Sequence, residues 1–220
     1  MSLFRLLWIL LLLNCMTVEI QPLRADTWVR VDKAVDGDTL LLKNGHLVRY
    51  VGINTPEIDH LNHRAEPFGW QAQKFNQELV DGKRVRLVPG MVNKDRYGRF
   101  LANVYDEQGR MVSQLLIFNG LGYFYPHPSD DKATDDRLLA AQRSAMKRLA
   151  GIWKTKFLQK GPCIGNRGSK RFHNLQCPLA KTIAVHRVVH IKTHWEAYWQ
   201  GYAPCGRCLP SLIKKELKHH

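Results

Sequence analysis

Asp36 and Asp38 flank Gly37 just before an extended run begins. Carboxylates this close repel one another, and a hard cation relieves the repulsion; oxygen donors of this kind suit calcium or magnesium. A plain Asp-Gly turn carries the same residues. Arg49 sits in an otherwise apolar stretch from Leu47 to Val51. A cation there needs a partner, and the planar guanidinium fork matches phosphate oxygens, although on an alternating strand it can simply face outward. Glu57 follows Asn54-Thr55-Pro56 and is of the type that orients or deprotonates a water. Arg96, Tyr97 and Arg99, with Gly98 between them, form a second basic segment. Each feature alone is compatible with a solvated turn. Together they supply what phosphodiester hydrolysis requires: a cation site, a carboxylate for the proton, and two arginines to offset the charge of a five-coordinate phosphorane.

A second group of residues lies near the C-terminus. Apart from Cys15, the cysteines are Cys163, Cys177, Cys205 and Cys208. The pair Cys205-Gly206-Arg207-Cys208, preceded by Pro204, has the spacing of a zinc knuckle, and four thiolates fill a tetrahedral zinc. His173 is an alternative ligand in place of Cys163. Two disulfides are the competing reading, favoured by an oxidising compartment. Lys170, Arg171, His186, Arg187, His190, Lys192 and His194 surround this group, with Trp195, Tyr198 and Trp199 interleaved. Basic groups with aromatics suit single-stranded nucleic acid, and the aromatics serve equally as a local core.

The elements that must hold the first group can be read from periodicity. Residues 28–53 alternate as three strands, Trp28–Val31, Thr39–Leu42 and Leu47–Val51, with a hairpin signal at Asn44-Gly45. Residues 54–64 are polar and loop-like. Ala72, Phe75, Leu79 and Val80 predict a helix over 69–80, closed by Asp81-Gly82. Arg84–Val88 and Phe100–Tyr105 read as strands separated by a charged loop at 93–99, and Val112–Phe118 as a helix. Residues 121–134 read as a loop, and 135–149 as an amphipathic helix with Leu138, Leu139, Met146 and Leu149 on one side. Three strands, a helix, two strands and two helices fit a small closed barrel with helices packed on it, a mainly β fold.

The chain has 220 residues, 45% hydrophobic and 24% charged, which permits a packed core and excludes wholesale disorder. Its net charge of +14 favours an anionic partner, a nucleic acid or an acidic membrane surface. Arg5, the apolar run Leu6–Leu13 and Leu23-Arg24-Ala25 read as a secretory signal peptide over 1–25, which predicts export to the periplasm or beyond. Retained, the segment would anchor the protein to a membrane; the run is short for a span. The remaining boundaries are a barrel domain at 26–153, a linker at 154–162, a small C-terminal module at 163–210 and a basic tail at 211–220. No obligate protein partner is inferred.

Val35-Asp36-Gly37-Asp38-Thr39, the run Arg49-Tyr50-Val51-Gly52-Ile53-Asn54-Thr55-Pro56-Glu57, and Asp95-Arg96-Tyr97-Gly98-Arg99 resemble, in order and spacing, the staphylococcal nuclease (thermonuclease) family. The likeness extends to Phe68-Gly69 and to Leu149-Ala150-Gly151-Ile152-Trp153, covering about residues 28–153. It implies a five-stranded oligonucleotide-binding (OB) barrel with three helices, and a calcium-dependent nuclease of DNA and RNA that leaves 3′-phosphate ends. By the same resemblance Arg49, Glu57 and Arg99 are catalytic. Asp38 is a calcium ligand, Thr55 offers a backbone carbonyl, and Asp36 stands close by without ligating directly. Arg96 and Tyr97 touch substrate phosphate, and Tyr123 and Tyr125 are candidates to stack on a base. The family places aspartate where this chain has Asn54. An amide oxygen can still bind calcium, so weaker calcium binding or a shifted metal preference is expected, with chemistry retained. A barrel that keeps the groove and loses the chemistry, a non-catalytic nucleic-acid-binding protein, is the competing reading; intact Arg49, Glu57 and Arg99 argue against it.

The C-terminal segment Gly168-Ser169-Lys170-Arg171-Phe172-His173, then Cys177, Glu196-Ala197, Gly201-Tyr202 and Pro204-Cys205, is similar to the metal-binding domain of Ada-type DNA-repair proteins. That similarity implies a small zinc-binding module.

Overall fold

A computed structural model describes residues 26–59, 65–127, 131–154 and 161–209. The expected signal peptide at 1–25, most of the linker (155–160) and the basic tail at 211–220 lie outside the described residues. Among those that are described, no helix is long and apolar enough to cross a membrane.

Five strands close into a barrel: β1 (Thr27–Ala34), β2 (Thr39–Leu42), β3 (Leu47–Tyr50), β5 (Arg84–Lys94) and β6 (Phe100–Tyr105), in the order β1-β2-β3-β6-β5. Closure depends on β1 serving two neighbours. Its first half, Thr27–Arg30, pairs with β5, and its second half pairs with β2 across a register shift between Val31 and Lys33. Such a bulge bends a strand and lets it turn from one partner to the next. The period-2 alternation is kept inside the barrel, where Phe100, Ala102 and Val104 of β6 face Val31, Leu40, Val48, Val85 and Leu87 in one core. Each fully buried Val or Leu there stabilises the fold by roughly 1.5–3 kcal/mol.

Helix α1 (Gly69–Val80) has the bounds its spacing predicts, and α2 (Val112–Phe118) likewise. Three differences from the sequence reading have local causes. Strand β5 runs to Lys94, so the charged loop shrinks to Asp95–Arg99. Within the expected 121–134 loop, β7 (Tyr123–Phe124) pairs with β4 (Ile53–Asn54), a ladder too short to leave a periodic signal. Helix α3 spans Lys132–Lys147, opened by Asp131, whose carboxylate accepts from Thr134 N at 3.0 Å. Leu149 therefore falls beyond the helix and is exposed, while Leu138, Ala141, Ala145 and Met146 make the buried stripe.

The C-terminal residues build a second sheet, ordered β10 (Val188–Ile191), β8 (Cys163–Asn166), β9 (Arg171–Asn174), β11 (Ala203–Pro204). Two short helices, α4 (Pro178–Lys181) and α5 (His194–Trp199), accompany it. Its hydrophobic cluster is continuous with α3: Ala145, Met146 and Trp153 pack with Phe172, Ile191, Tyr198 and Tyr202. Tyr198 meets Trp153 edge-on at 5.2 Å and Tyr123 at 5.3 Å, contacts worth about 0.5–1.5 kcal/mol each. The aromatic run of α5 is thus core. Gln142, fully buried in α3, joins β7 to α5. Its Oε1 accepts from Phe124 N at 2.7 Å and its Nε2 donates to Tyr198 O at 2.6 Å.

Candidate active site

Arg49 lies between Val48 and Tyr50, both buried inside the barrel, so alternation turns its side chain outward. Neighbouring segments nevertheless cover it, leaving 16% of the side chain exposed. Nη1 is 2.9 Å from Asp38 Oδ1, and Nη2 donates to Asn54 Oδ1 at 2.9 Å and to the Ile53 carbonyl at 3.2 Å. Burial alone would lower the Arg49 pKa, but Asp38, Asp36 and Glu57 outweigh it and hold the guanidinium firmly charged.

The acidic turn is gripped from several sides. Asp38 N donates to Asp36 Oδ1 at 2.9 Å, and Asp38 Oδ2 accepts from Thr55 N at 3.0 Å. Helix α1 supplies Gln73, which donates to the Val35 carbonyl at 2.8 Å, and Asn76, which donates to the Asp36 carbonyl at 2.9 Å. Asn76 Oδ1 in turn accepts from Tyr50 Oη at 2.8 Å. A Cβ on Gly37 would lie 2.6 Å from Thr55 Oγ1 and 2.8 Å from Ala72 Cβ, so only glycine lets the turn seat between the loop and the helix. Burial, followed by the charge of Asp38, pushes Asp36 up to about 7.

Asn54 and Thr55 stand against this turn. Asn54 Nδ2 reaches Tyr123 Oη at 3.1 Å and the Thr55 carbonyl at 3.4 Å. A carboxylate, an amide oxygen and a backbone carbonyl are thus gathered in one place, an all-oxygen donor set that fits calcium or magnesium. Glu57 is exposed on the following loop, close enough to raise the pKa values of Asp36 and Arg49. Its backbone is fixed by the start of α1, for a Cβ on Gly69 would lie 2.3 Å from the Glu57 carbonyl oxygen.

Arg99 arrives from the opposite side. Asp95 organises its loop, Oδ1 accepting from Tyr97 N at 2.9 Å and Arg99 N at 3.0 Å, while Oδ2 pairs with the Arg99 guanidinium at 2.7 Å. Arg99 Nη1 contacts Thr39 Oγ1 at 3.4 Å, and Thr39 Oγ1 reaches Asp38 Oδ1 at 3.3 Å, so a short polar chain links the two arginines. Exposed Arg96 stacks on Tyr97 at 4.8 Å. Asp95, Arg96 and Tyr97 of this loop border a cleft of about 430 Å³ whose lining also includes Arg49, Lys94, Tyr125 and His127. Tyr125 is in the cleft wall. Tyr123 is occupied by Asn54 and by its packing on Tyr198, and burial pushes its phenol pKa up. Gln73, Asn76 and Tyr50 are the site-building residues that sequence reasoning missed; two amides at i and i+3 beside buried Ala72 were the available signal.

The C-terminal group resolves differently from the four-cysteine expectation. One ligand atom each from His173, Cys177, Cys205 and Cys208 lies within 4.8 Å of all the others. Cys163 does not join them. Its strand neighbour Ile164 is paired in register with His173, so Cys163 faces the other side of the sheet, in the cluster around Trp153. Burial pushes its thiol up to about 12, as befits an apolar core residue. Cys177 Sγ and His173 Nδ1 are 3.5 Å apart, matching the edge of about 3.5–3.8 Å in a tetrahedron of zinc bonds. Burial opposes ionisation of Cys177, yet hydrogen bonds from Cys208 and from the Leu179 and Ala180 amides bring its pKa down, while Cys208 is pushed up to about 12. A bound cation would favour the thiolate form of all three cysteines. None of the four described cysteines is in a disulfide.

The chain matches the family model described as staphylococcal nuclease homologue over residues 47–155. It is 36% identical to the thermonuclease of Staphylococcus intermedius over 131 residues, 56% of this chain and 74% of that one. It is 34% identical to endonuclease YncB of Bacillus subtilis (strain 168) over 145 residues, 64% of this chain and 65% of that one. It is also 34% identical to the SPbeta prophage-derived endonuclease YokF of Bacillus subtilis (strain 168), over 74% of this chain and 53% of that one. The chain therefore spans just under two thirds of YncB and about half of YokF.

Proposed function

Because the chain belongs to the staphylococcal nuclease family, we propose that it is an exported, calcium-dependent endonuclease that hydrolyses phosphodiester bonds of DNA and RNA to 3′-phosphate ends. The observation that carries this reading is the single guanidinium of Arg49 spanning Asp38 and Asn54 at 2.9 Å each, with Arg99 linked to the same carboxylate through Thr39.

Asp38, Asn54 and the Thr55 carbonyl would hold calcium, with Asp36 outside the direct ligands. When bound, the ion supplies positive charge that polarises the scissile phosphate. Arg49 and Arg99 donate to the non-bridging phosphate oxygens as negative charge builds on them, and in a covered site each such donor is worth about 10²–10³ in rate. Glu57, exposed and held by its backbone beside the cluster, orients the attacking water and accepts its proton as the new P–O bond forms; the bond from phosphorus to the 5′ oxygen breaks, and that oxygen leaves with a proton from solvent. Arg96 and Tyr97 contact flanking phosphate, and Tyr125 offers a base-stacking face at the cleft wall. Tyr123 serves the site by holding Asn54.

His173, Cys177, Cys205 and Cys208 would hold one structural zinc in the C-terminal module at 163–210, with 154–162 as the join to the barrel domain. Export rests on the apolar segment within residues 1–25. The deciding experiment is digestion of single-stranded DNA, duplex DNA and RNA with calcium, with calcium omitted, and with calcium restored, followed by analysis of product ends. Calcium-dependent 3′-phosphate ends support the reading. Binding without cleavage under every condition would leave a non-catalytic barrel.

A further inference from the structure

The β8–β9 turn of the C-terminal sheet reaches the nuclease cleft. Arg171, at the start of β9, places its guanidinium 3.7 Å from the centre of the Tyr125 ring and donates from Nη2 to the Pro126 carbonyl at 3.0 Å. Tyr125 lines the cleft that also contains Arg49. Beside it lies a second, smaller groove of about 150 Å³ between Pro126, His127, Gly168, Ser169 and Lys170, with Lys132 and Asp135 on its far wall. His127 lines both, so the two hollows meet at that residue.

Basic side chains gather at one end of the groove: Lys170 lines it, while Arg167 and Arg187 stand next to its Gly168. Arg167 and Lys170 are exposed, and Arg187 brings its guanidinium alongside Gly168, within 3.3 Å of where a Cβ would stand. The turn that presents them is rigid: Asn166 Oδ1 accepts from Gly168 N at 2.9 Å, and Arg167 N donates to the Arg187 carbonyl at 2.9 Å. Asp135 is the acidic residue in the lining, and Lys132 is paired with Asp136 at 2.6 Å. Clustered cations on an ordered turn, continuous with a stacking tyrosine, suit a phosphate backbone leaving the cleft.

We propose that the β8–β9 turn is a substrate exosite: a single strand extending from the catalytic cleft passes Tyr125 and His127 and lays its phosphates against Arg167, Lys170 and Arg187. This deepens the nuclease reading and rests on it. The exosite makes the enzyme prefer long strands, because a substrate that only fills the barrel site, about four nucleotides at the low end for such barrels, does not reach the turn.

The test compares the full-length protein with its Arg167→Gln/Lys170→Gln variant on a tetranucleotide and on a single strand of about 30 nucleotides. The expected result is KM raised about three- to tenfold on the long strand with kcat kept, and less than about twofold change on the tetranucleotide. The slope of log KM against log salt on the long strand flattens by about 1.4, or 0.7 for each lost phosphate contact. The charge-preserving variant Arg167→Lys/Lys170→Arg stays at wild-type values, which separates lost charge from lost folding. Equal losses on both substrates, or none on the long strand, overturn the exosite. Should the wild type cut neither substrate, the nuclease reading fails separately. Fluorescence anisotropy of the long strand without added calcium then judges the exosite, through weaker binding by the glutamine variant or unchanged binding that rejects it.

Discussion

Asn54 turns its amide oxygen to Arg49, which donates from Nη2 at 2.9 Å, and its amide nitrogen to Tyr123 Oη at 3.1 Å. The neutral residue is therefore not idle: the donor-only arginine fixes its oxygen towards the site, which leaves its nitrogen to donate to the tyrosine hydroxyl. What it lacks is charge. Asn54→Asp adds a negative charge beside Asp38 and Asp36, and at a few ångströms in a partly solvated site one charge is worth about 1–2 kcal/mol towards a cation. The half-saturating calcium concentration should fall roughly tenfold in a calcium titration of DNA cleavage. Equal half-saturation in both proteins would mean that Asn54 is not at the cation.

Arg49 reaches the Asp38 region from β3 and Arg99 from the Asp95–Arg99 loop, so their removal should be costly singly and should not simply add. Arg49→Ala and Arg99→Ala are each expected to lower kcat about 10²–10³-fold, with smaller changes in KM. Initial rates on a defined oligonucleotide measure this. Wild-type rates in either variant would remove that arginine from the mechanism.

Much of this site is visible in the sequence because it is assembled from short local runs. Asp36 to Asp38, Arg49 to Glu57 and Asp95 to Arg99 are each nearly continuous, and the strands that carry them keep clear period-2 patterns such as Phe100, Ala102 and Val104. The supports are less legible because they act across long sequence separations. Asn76 and Gln73 look like polar positions on an amphipathic helix, yet they fasten a turn some 40 residues earlier, with separations of 40 and 38. Cys163 has the same chemistry as the cysteines of the cluster, and only the strand register turns it to the other face. The contact of Arg171 with Tyr125 joins β9 to the segment after β7, which no local pattern connects.

Asn76 offers a direct test of that support. It is fully buried and bonds both Tyr50 Oη and the Asp36 carbonyl. Asn76→Ala leaves two buried polar groups without it, which should cost about 2–4 kcal/mol of stability in urea unfolding. Because the Asp36–Asp38 turn is loosened, half-saturating calcium should rise as well. A loss of stability with calcium dependence unchanged would make Asn76 a fold residue only.

The C-terminal cluster predicts a distinctive pattern among the cysteines. Wild-type protein should contain one zinc per chain by elemental analysis. Cys163→Ala should keep it, since Cys163 lies on the opposite face of the sheet, while His173→Ala, Cys177→Ala and Cys205→Ala should each lose it and unfold at lower denaturant. A metal-free wild type whose thiols cannot be titrated would point to disulfides instead.

Asp95 ties its loop to acid stability. Burial works to raise its pKa, but the Arg99 side chain and the Tyr97 and Arg99 amides outweigh burial, and the net shift is downward. A carboxyl whose folded pKa is depressed stabilises the protein above its unfolded value of 3.8, and that stability is lost as pH falls through the folded value. Asp95→Asn should thus cost about 1 kcal/mol at neutral pH and progressively less as pH falls through the folded value, so the urea midpoints of variant and wild type converge on acidification. Activity should fall with the variant at every pH, because Arg99 loses the partner that aims it at Thr39. A constant gap between the two midpoints from neutral to acid would show that Asp95 acts through turn geometry alone, without its charge.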